Sequence, residues 1–231
     1  VRRVPQRTLN HRALLVTRIG EAIMDVAVFG ATGRTGSRLV RQSVARGYGV
    51  VAIARDAARI ESMPGVRAVS ADAGDTAALA AAFPGVDVVL FALGHSKTSG
   101  EGVLATGIRS TIAAMAQAGV QRLIAIGASG YSTDGDGFVA RSIVKPVLGR
   151  ILRDQYDDMR EMEEVIRNSA TAWTIVRPPK LLDKSGSGHY RSRIDENVKG
   201  GFTISRDDLA TAILDLAETP SLARKVVSVA A

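Results

Sequence analysis

Gly30-Ala31-Thr32-Gly33-Arg34-Thr35-Gly36 places three glycines at a spacing suited to phosphate chemistry. The segment lies between an apolar run at 26–29 and a stretch where Leu39, Val40, Ser43 and Val44 recur at helical period. In that setting the first glycine allows a tight turn, and the second lets backbone N–H groups approach a pyrophosphate. The third lets helix and strand pack closely. A helix start adds unpaired donors and partial positive charge. Gly30, Thr32, Gly33, Arg34, Thr35 and Gly36 are therefore candidate phosphate-binding residues, the alternative being an ordinary glycine-rich connection.

The next apolar run, 50–54, ends in Ala54-Arg55. A dinucleotide site for NAD(H) ordinarily has an acidic residue here, accepting from the ribose 2′-OH. A carboxylate would repel a 2′-phosphate, whereas a guanidinium binds it bidentately. Arg34 and Arg59 can reach the same region, so the expected cofactor is NADP(H) in preference to NAD(H). Asp56 either caps the following helix or weakens that preference, and Arg59 alone reads equally well as a solvated helix charge. Asp72, after the third apolar run, can accept from an adenine amino group or cap the next helix.

The remaining candidates follow from where ligands bind in an open α/β sheet, beyond the carboxyl ends of the strands. Leu93, Gly94 and His95 end the fourth run, Ala128 and Ser129 the fifth, and Pro178, Pro179, Lys180 and Leu181 the sixth. Leu93, Gly94 and Pro178 are placed beside the cofactor. His95, Pro179, Lys180 and Leu181 are placed in an acceptor pocket, and Ser129 faces the expected nicotinamide as the candidate catalytic group. His95 also reads as a loop histidine without a chemical role.

The elements that must position these residues alternate regularly. Strands are expected at 26–29, 50–54, 66–70, 86–93, 122–126, 174–176 and 226–229. Helices are expected after Gly36 and at 77–83, 102–117, 141–152, 154–168 and 207–218. Residues 131–137 read as loop, and the polar stretch 183–200 can hold only short strands or loop. Such alternation implies a parallel sheet covered by helices on both faces, a single doubly wound α/β domain of the Rossmann kind over 24–231.

Composition narrows the chemistry. The 231 residues include no cysteine, which excludes a disulfide scaffold, a zinc–thiolate site and a cysteine nucleophile. His11, His95 and His189 lie too far apart in sequence for a histidine-rich metal motif, so no metal is expected. The net charge of +7 invites a nucleic-acid reading. Residues 1–24, however, hold five arginines against Glu21, and the other 207 residues carry 25 basic and 22 acidic groups. With 4% aromatic residues the chain also lacks the stacking platforms of a single-strand binder. No nucleic-acid or membrane partner is expected. Residues 1–23 read as a poorly ordered basic extension of a cytoplasmic protein, or alternatively as a mitochondrial presequence.

At these residues the chain resembles the atypical short-chain dehydrogenase/reductases of the NAD(P)H-binding, NmrA-like kind, and within them the flavin reductase (biliverdin-IXβ reductase) type. The resemblance runs from about Met24 to Ala230. It rests on Val28-Phe29-Gly30-Ala31-Thr32-Gly33-Arg34-Thr35-Gly36, on Ala54-Arg55-Asp56 with Arg59, and on Ala71-Asp72. Val165-Ile166-Arg167-Asn168-Ser169 and Ile175-Val176-Arg177-Pro178-Pro179 extend it. The resemblance implies hydride transfer from NADPH to a planar conjugated small-molecule acceptor such as a flavin, quinone or bilin. It further implies protons drawn from solvent, and a monomer or small homo-oligomer.

The chain also departs from its relatives. No Tyr-x-x-x-Lys occurs, and Tyr156 is followed four places on by Arg160, which supplies no base. The flavin-reductase serine of the fifth strand falls on Ala128, leaving Ser129 one place off, and its histidine after the proline pair falls on Lys180. A second function follows from the same resemblance, a non-catalytic NmrA-like NADP(H) sensor acting through a protein partner. A nucleotide-sugar or isoprenoid-modifying enzyme is disfavoured by the missing dyad and the short chain.

Overall fold

Short runs of valine, isoleucine and alanine bounded by glycine or polar turns form the strands, and the helical-period segments between them form the helices. The computed structural model describes residues 24–95, 100–129 and 153–231. The readings made for 1–23, 131–137 and 141–152 lie outside the described residues. In chain order the first elements are β1 (Asp25–Phe29), α1 (Gly36–Ala45), β2 (Gly49–Ala54), β3 (Val66–Ser70), α2 (Thr76–Ala82) and β4 (Val88–Phe91). There follow α3 (Val103–Ala118), β5 (Arg122–Ile126), α4 (Arg153–Arg167), β6 (Ala172–Arg177) and β7 (Lys180–Leu182). The chain ends with β8 (Arg191–Ile194), β9 (Thr203–Ser205), α5 (Arg206–Ala217) and β10 (Lys225–Ala230).

Eight strands make the main sheet, ordered β3-β2-β1-β4-β5-β6-β10-β8. Every pairing in it is parallel except β10 with β8. The chain moves outward from β1 through β2 to β3 and then returns to lay β4 on the other side of β1. The crevice between β1 and β4 is thus the switch point, where such sheets bind ligands.

Alternation along β1 builds the two faces. Ala27 and Phe29 join an apolar cluster with Phe91, Ile108, Met162, Ile166 and Trp173, beneath α3 and α4. Val26 and Val28 join a second cluster with Leu39, Val40, Leu209, Ile213 and Val227, beneath α1 and α5. Strand side chains point to opposite faces at successive positions, so one apolar run serves both layers. The Phe29 and Phe91 rings meet edge to face at 5.5 Å, tying β1 to β4 just below the switch point.

Two features depart from a purely parallel sheet. In the polar stretch, Arg191-Ser192-Arg193-Ile194 forms an antiparallel edge strand, with Ile194 opposite Val227. Its two arginines suit an edge, where charged side chains discourage further pairing. Separately, β7 and β9 form a two-stranded parallel sheet, with Lys180 opposite Thr203. Among the described residues no helix is long and apolar enough to cross a membrane.

Candidate functional site

The loop after β1 is shaped by two of its glycines. Gly30 has φ +85°, and a Cβ there would stand 2.8 Å from the carbonyl oxygen of Ala92, where the chain leaves β4. At Gly36 a Cβ would stand 2.1 Å from the Gly30 oxygen, so α1 starts pressed directly onto the turn. Gly33 is exposed, and its N–H donates back to the Gly30 oxygen at 2.9 Å. The amides of Thr32, Arg34 and Thr35 have no acceptor among the described residues. Thr35 makes no side-chain cap, and no acidic residue lies in the first turn of α1. The result is a set of donors without acceptors among the described residues at the positive end of a helix, which suits a pyrophosphate.

Beyond β2, Arg55 and Arg59 are exposed and neither guanidinium has a partner among the described residues. Asp56 takes the capping role, its carboxylate accepting from the Ala58 amide at 3.1 Å over the single-turn helix Ala57–Arg59. Asp72 is exposed and makes only a long contact of 3.4 Å with the Gly74 amide, while Asp75 caps α2 through Ala78 at 2.9 Å. Arg34 is placed differently from Arg55. Its guanidinium meets Asp183 at 3.0 Å, and Asp183 also lies 2.8 Å from Arg206 at the start of α5, an ion pair without hydrogen-bond alignment. Arg38 donates to the Arg34 carbonyl at 2.6 Å and to Asp207 at 2.8 Å, joining the same cluster.

On the other side of the switch point, β5 and β6 continue their pairing past their ends. The Gly127 amide donates to Val176 at 2.8 Å and the Ser129 amide to Pro178 at 2.9 Å, which brings Ser129 beside the proline pair. Beneath them a buried ion pair braces the strand ends. Arg177 donates to Glu163 from Nε at 3.0 Å and Nη2 at 2.6 Å. Gly127 must lack a side chain here, because a Cβ would lie 2.6 Å from that carboxylate. Leu93 packs on Gly107 of α3, whereas the Cβ position of Gly94 has nothing within 4 Å, leaving room for a ligand. Pro178 is buried, Pro179 and Leu181 are half-buried, and Lys180 is exposed.

Three features of this region were not foreseen from the sequence. His95 Nε2 lies 2.8 Å from Asp158 of α4. Asp158 occupies the apolar stripe it shares with Met162 and Ile166 at four-residue steps, and that position was the available signal. Phe202 is 73% exposed and comes one place before Thr203. Thr203 pairs with Lys180, so Phe202 and Pro179 each come one place before that pair. Third, the 186–188 segment is fastened over the start of α5. Asp208 accepts from the Ser187 amide at 3.1 Å and the Gly188 amide at 2.8 Å. Burial pushes the Asp208 carboxyl up, but bonds from Ser205, Ser187 and Gly188 hold it below its ordinary value.

Tyr156 is buried on α4, and burial raises its pKa against the opposing effect of Arg160. Arg160 pairs with Asp157 at 2.6 Å. No group of histidine and acidic side chains able to hold a metal ion occurs among the described residues.

A family model described as NAD(P)H-binding matches residues 30–220. The uncharacterized protein YwnB of Bacillus subtilis is 25% identical over 203 residues, covering 85% of this chain and 93% of its own. Among solved structures, ChuY, an anaerobilin reductase from Escherichia coli O157:H7, has TM-score 0.75 at 23% identity, covering 90% of this chain and 97% of its own. A short-chain dehydrogenase/reductase from Veillonella parvula, solved in complex with NADP, has TM-score 0.76 at 16% identity, covering 90% and 94%. At these identities the two structures establish likeness of fold. Because the matched span runs from the first loop glycine to beyond α5, the chain belongs to the NAD(P)H-binding family, in keeping with its resemblance to the atypical short-chain dehydrogenase/reductases.

Proposed function

We propose that this protein is an NADPH-dependent reductase that passes hydride to a planar conjugated acceptor of the flavin, quinone or bilin kind. The reading is carried by one observation. Arg55 and Arg59, exposed and without partners among the described residues, stand beyond β2 where an NAD(H) site would present a carboxylate, and the nearby Asp56 is spent on its own helix turn. A 2′-phosphate is thereby favoured over a bare ribose hydroxyl. The free amides of Thr32, Arg34 and Thr35 hold the pyrophosphate, and Asp72 accepts from the adenine amino group. Leu93, Gly94, Pro178 and Ser129 border the place where the nicotinamide ring would lie.

Bound NADPH would supply one hydride, that is two electrons and a proton together, from its nicotinamide ring. The chain's own work is positioning and the exclusion of water, which can supply most of the acceleration for an electron-poor acceptor. Pro179, Leu181 and Phe202 offer apolar walls to a flat molecule, and Lys180 stands between Pro179 and Leu181 at the start of β7. The NADP-bound and anaerobilin-reductase neighbours support this choice by fold alone.

The test is NADPH oxidation by the purified protein against a panel of flavins, quinones and bilins, followed by loss of the nicotinamide absorbance. Turnover above the background rate with at least one acceptor is expected. Tight NADPH binding with no turnover on any of them overturns the reductase and favours the non-catalytic sensor.

A further inference from the structure

The contact between His95 and Asp158 joins residues 63 apart in sequence. Asp158 is nearly enclosed, with 5% of its side chain exposed, and His95 keeps 20%. The carboxylate also accepts from the backbone amides of Leu104 at 3.1 Å and Ala105 at 2.9 Å, in the first turn of α3. A carboxylate that is already accepting twice meets the ring as an acceptor, so His95 Nε2 is the donor. The proton on Nε2 is therefore committed, and Nδ1 is the nitrogen left to exchange one. Nδ1 has no partner among the described residues.

Capping α3 does not require a histidine, because the two amides satisfy that role alone. The position of the histidine is what matters. It follows Gly94, whose side-chain position opens on free space, and the same exit from β4 presses against Gly30 of the phosphate loop. A ring with one nitrogen held by a buried carboxylate and the other without a partner among the described residues is the arrangement used to move protons in acid–base catalysis.

We infer that His95, oriented by Asp158, is a proton donor to the acceptor, and that the acceptor is a conjugated carbonyl compound whose hydride adduct must be protonated. This rests on the NADPH-dependent reductase reading above. Hydride adds to the β-carbon, the C=C pair shifts to form an enolate, and the α-carbon of that enolate takes the proton from Nδ1 of the His95 imidazolium. The ring is left neutral with Nε2–H still on Asp158, and solvent returns one proton. The sum is enone plus NADPH plus one proton giving the saturated carbonyl and NADP+. His95 is the catalytic residue in this step, and Asp158 is the positioning residue.

Two measurements test it. The first compares a conjugated enone with a quinone, whose hydride adduct is a weak base and needs no acid. His95→Asn is expected to lower the ratio of enone to quinone turnover by about 100-fold, and added imidazole to restore part of the loss in His95→Ala. Equal loss with both acceptors, or no loss, overturns the inference while leaving the reductase reading intact. If the wild-type protein turns over none of the acceptors with NADPH, both fail together. The second measurement needs no turnover. Nitrogen NMR of labelled histidine in the free protein is expected to show His95 protonated on Nε2, with that signature altered in Asp158→Asn. A ring protonated only on Nδ1 refutes the assignment.

Discussion

Replacing Arg55 with alanine should separate the two nicotinamide cofactors. The Arg55 side chain is exposed beyond β2 and has no partner among the described residues, so its removal breaks no internal bond. Its backbone carbonyl, which accepts from Ser70 at 2.8 Å, is untouched by the change. A hydrogen bond from a guanidinium to a phosphate contributes roughly 1.5–3 kcal/mol. Exposure and salt screening place this one toward the lower part of that range. At about 2 kcal/mol, NADPH should bind about 30-fold more weakly. NADH lacks the 2′-phosphate, so its affinity should change by less than about twofold. Arg59→Ala should act in the same direction, and the NADPH loss should shrink as ionic strength rises. Calorimetric or fluorescence titration of both cofactors at two salt concentrations decides the matter. Equal weakening of NADPH and NADH refutes the reasoning, because it would mean that Arg55 supports the loop and does not read the phosphate.

Gly36→Ala should lower the thermal midpoint and weaken both cofactors, since a methyl 2.1 Å from the Gly30 oxygen forces the backbone apart at a cost of about 1–3 kcal/mol; an unchanged midpoint with unchanged binding contradicts this. Phe202→Ala should raise KM for a planar acceptor about two- to tenfold, from about 0.5–1.5 kcal/mol of ring stacking, with NADPH affinity unaltered. An unaltered KM removes Phe202 from the pocket. Asp208 has a folded pKa below its ordinary 3.8, so its bonds stabilise the protein above that value and are lost as pH falls through the lowered one. Asp208→Asn should therefore destabilise near neutral pH, and the deficit relative to wild type should narrow in strong acid. A deficit of the same size at both pH values rules out the carboxylate as the anchor of 186–188.

What could be read from the sequence is what short-range chemistry determines. The three-glycine loop needed only its own spacing and the apolar run before it, and steric demands at Gly30 and Gly36 match the roles assigned to them. The buried strands were legible because Val26, Val28 and their counterparts face apolar layers on both sides, which leaves no room for polar residues. Sequence left open whether Asp72 caps the next helix, and geometry resolved it: Asp75 caps α2, while Asp72 makes only its long contact with the Gly74 amide. The antiparallel course of β8 was not legible, because pairing direction depends on where the chain returns and not on the four residues that pair. His95 shows the limit most clearly. Alone it is a loop histidine, and only the packing of α4 against the start of α3 gives it a carboxylate to hold one nitrogen. The warning lay elsewhere in the chain, at Asp158, a charged residue on the same stripe as Met162 and Ile166. A buried carboxylate must find donors, and two helix amides and a histidine are a sufficient set. An acidic residue on the apolar face of a helix is therefore best treated as half of an interaction whose other half lies far away in sequence. Here that other half stands at the carboxyl end of β4, where the fold places its ligand.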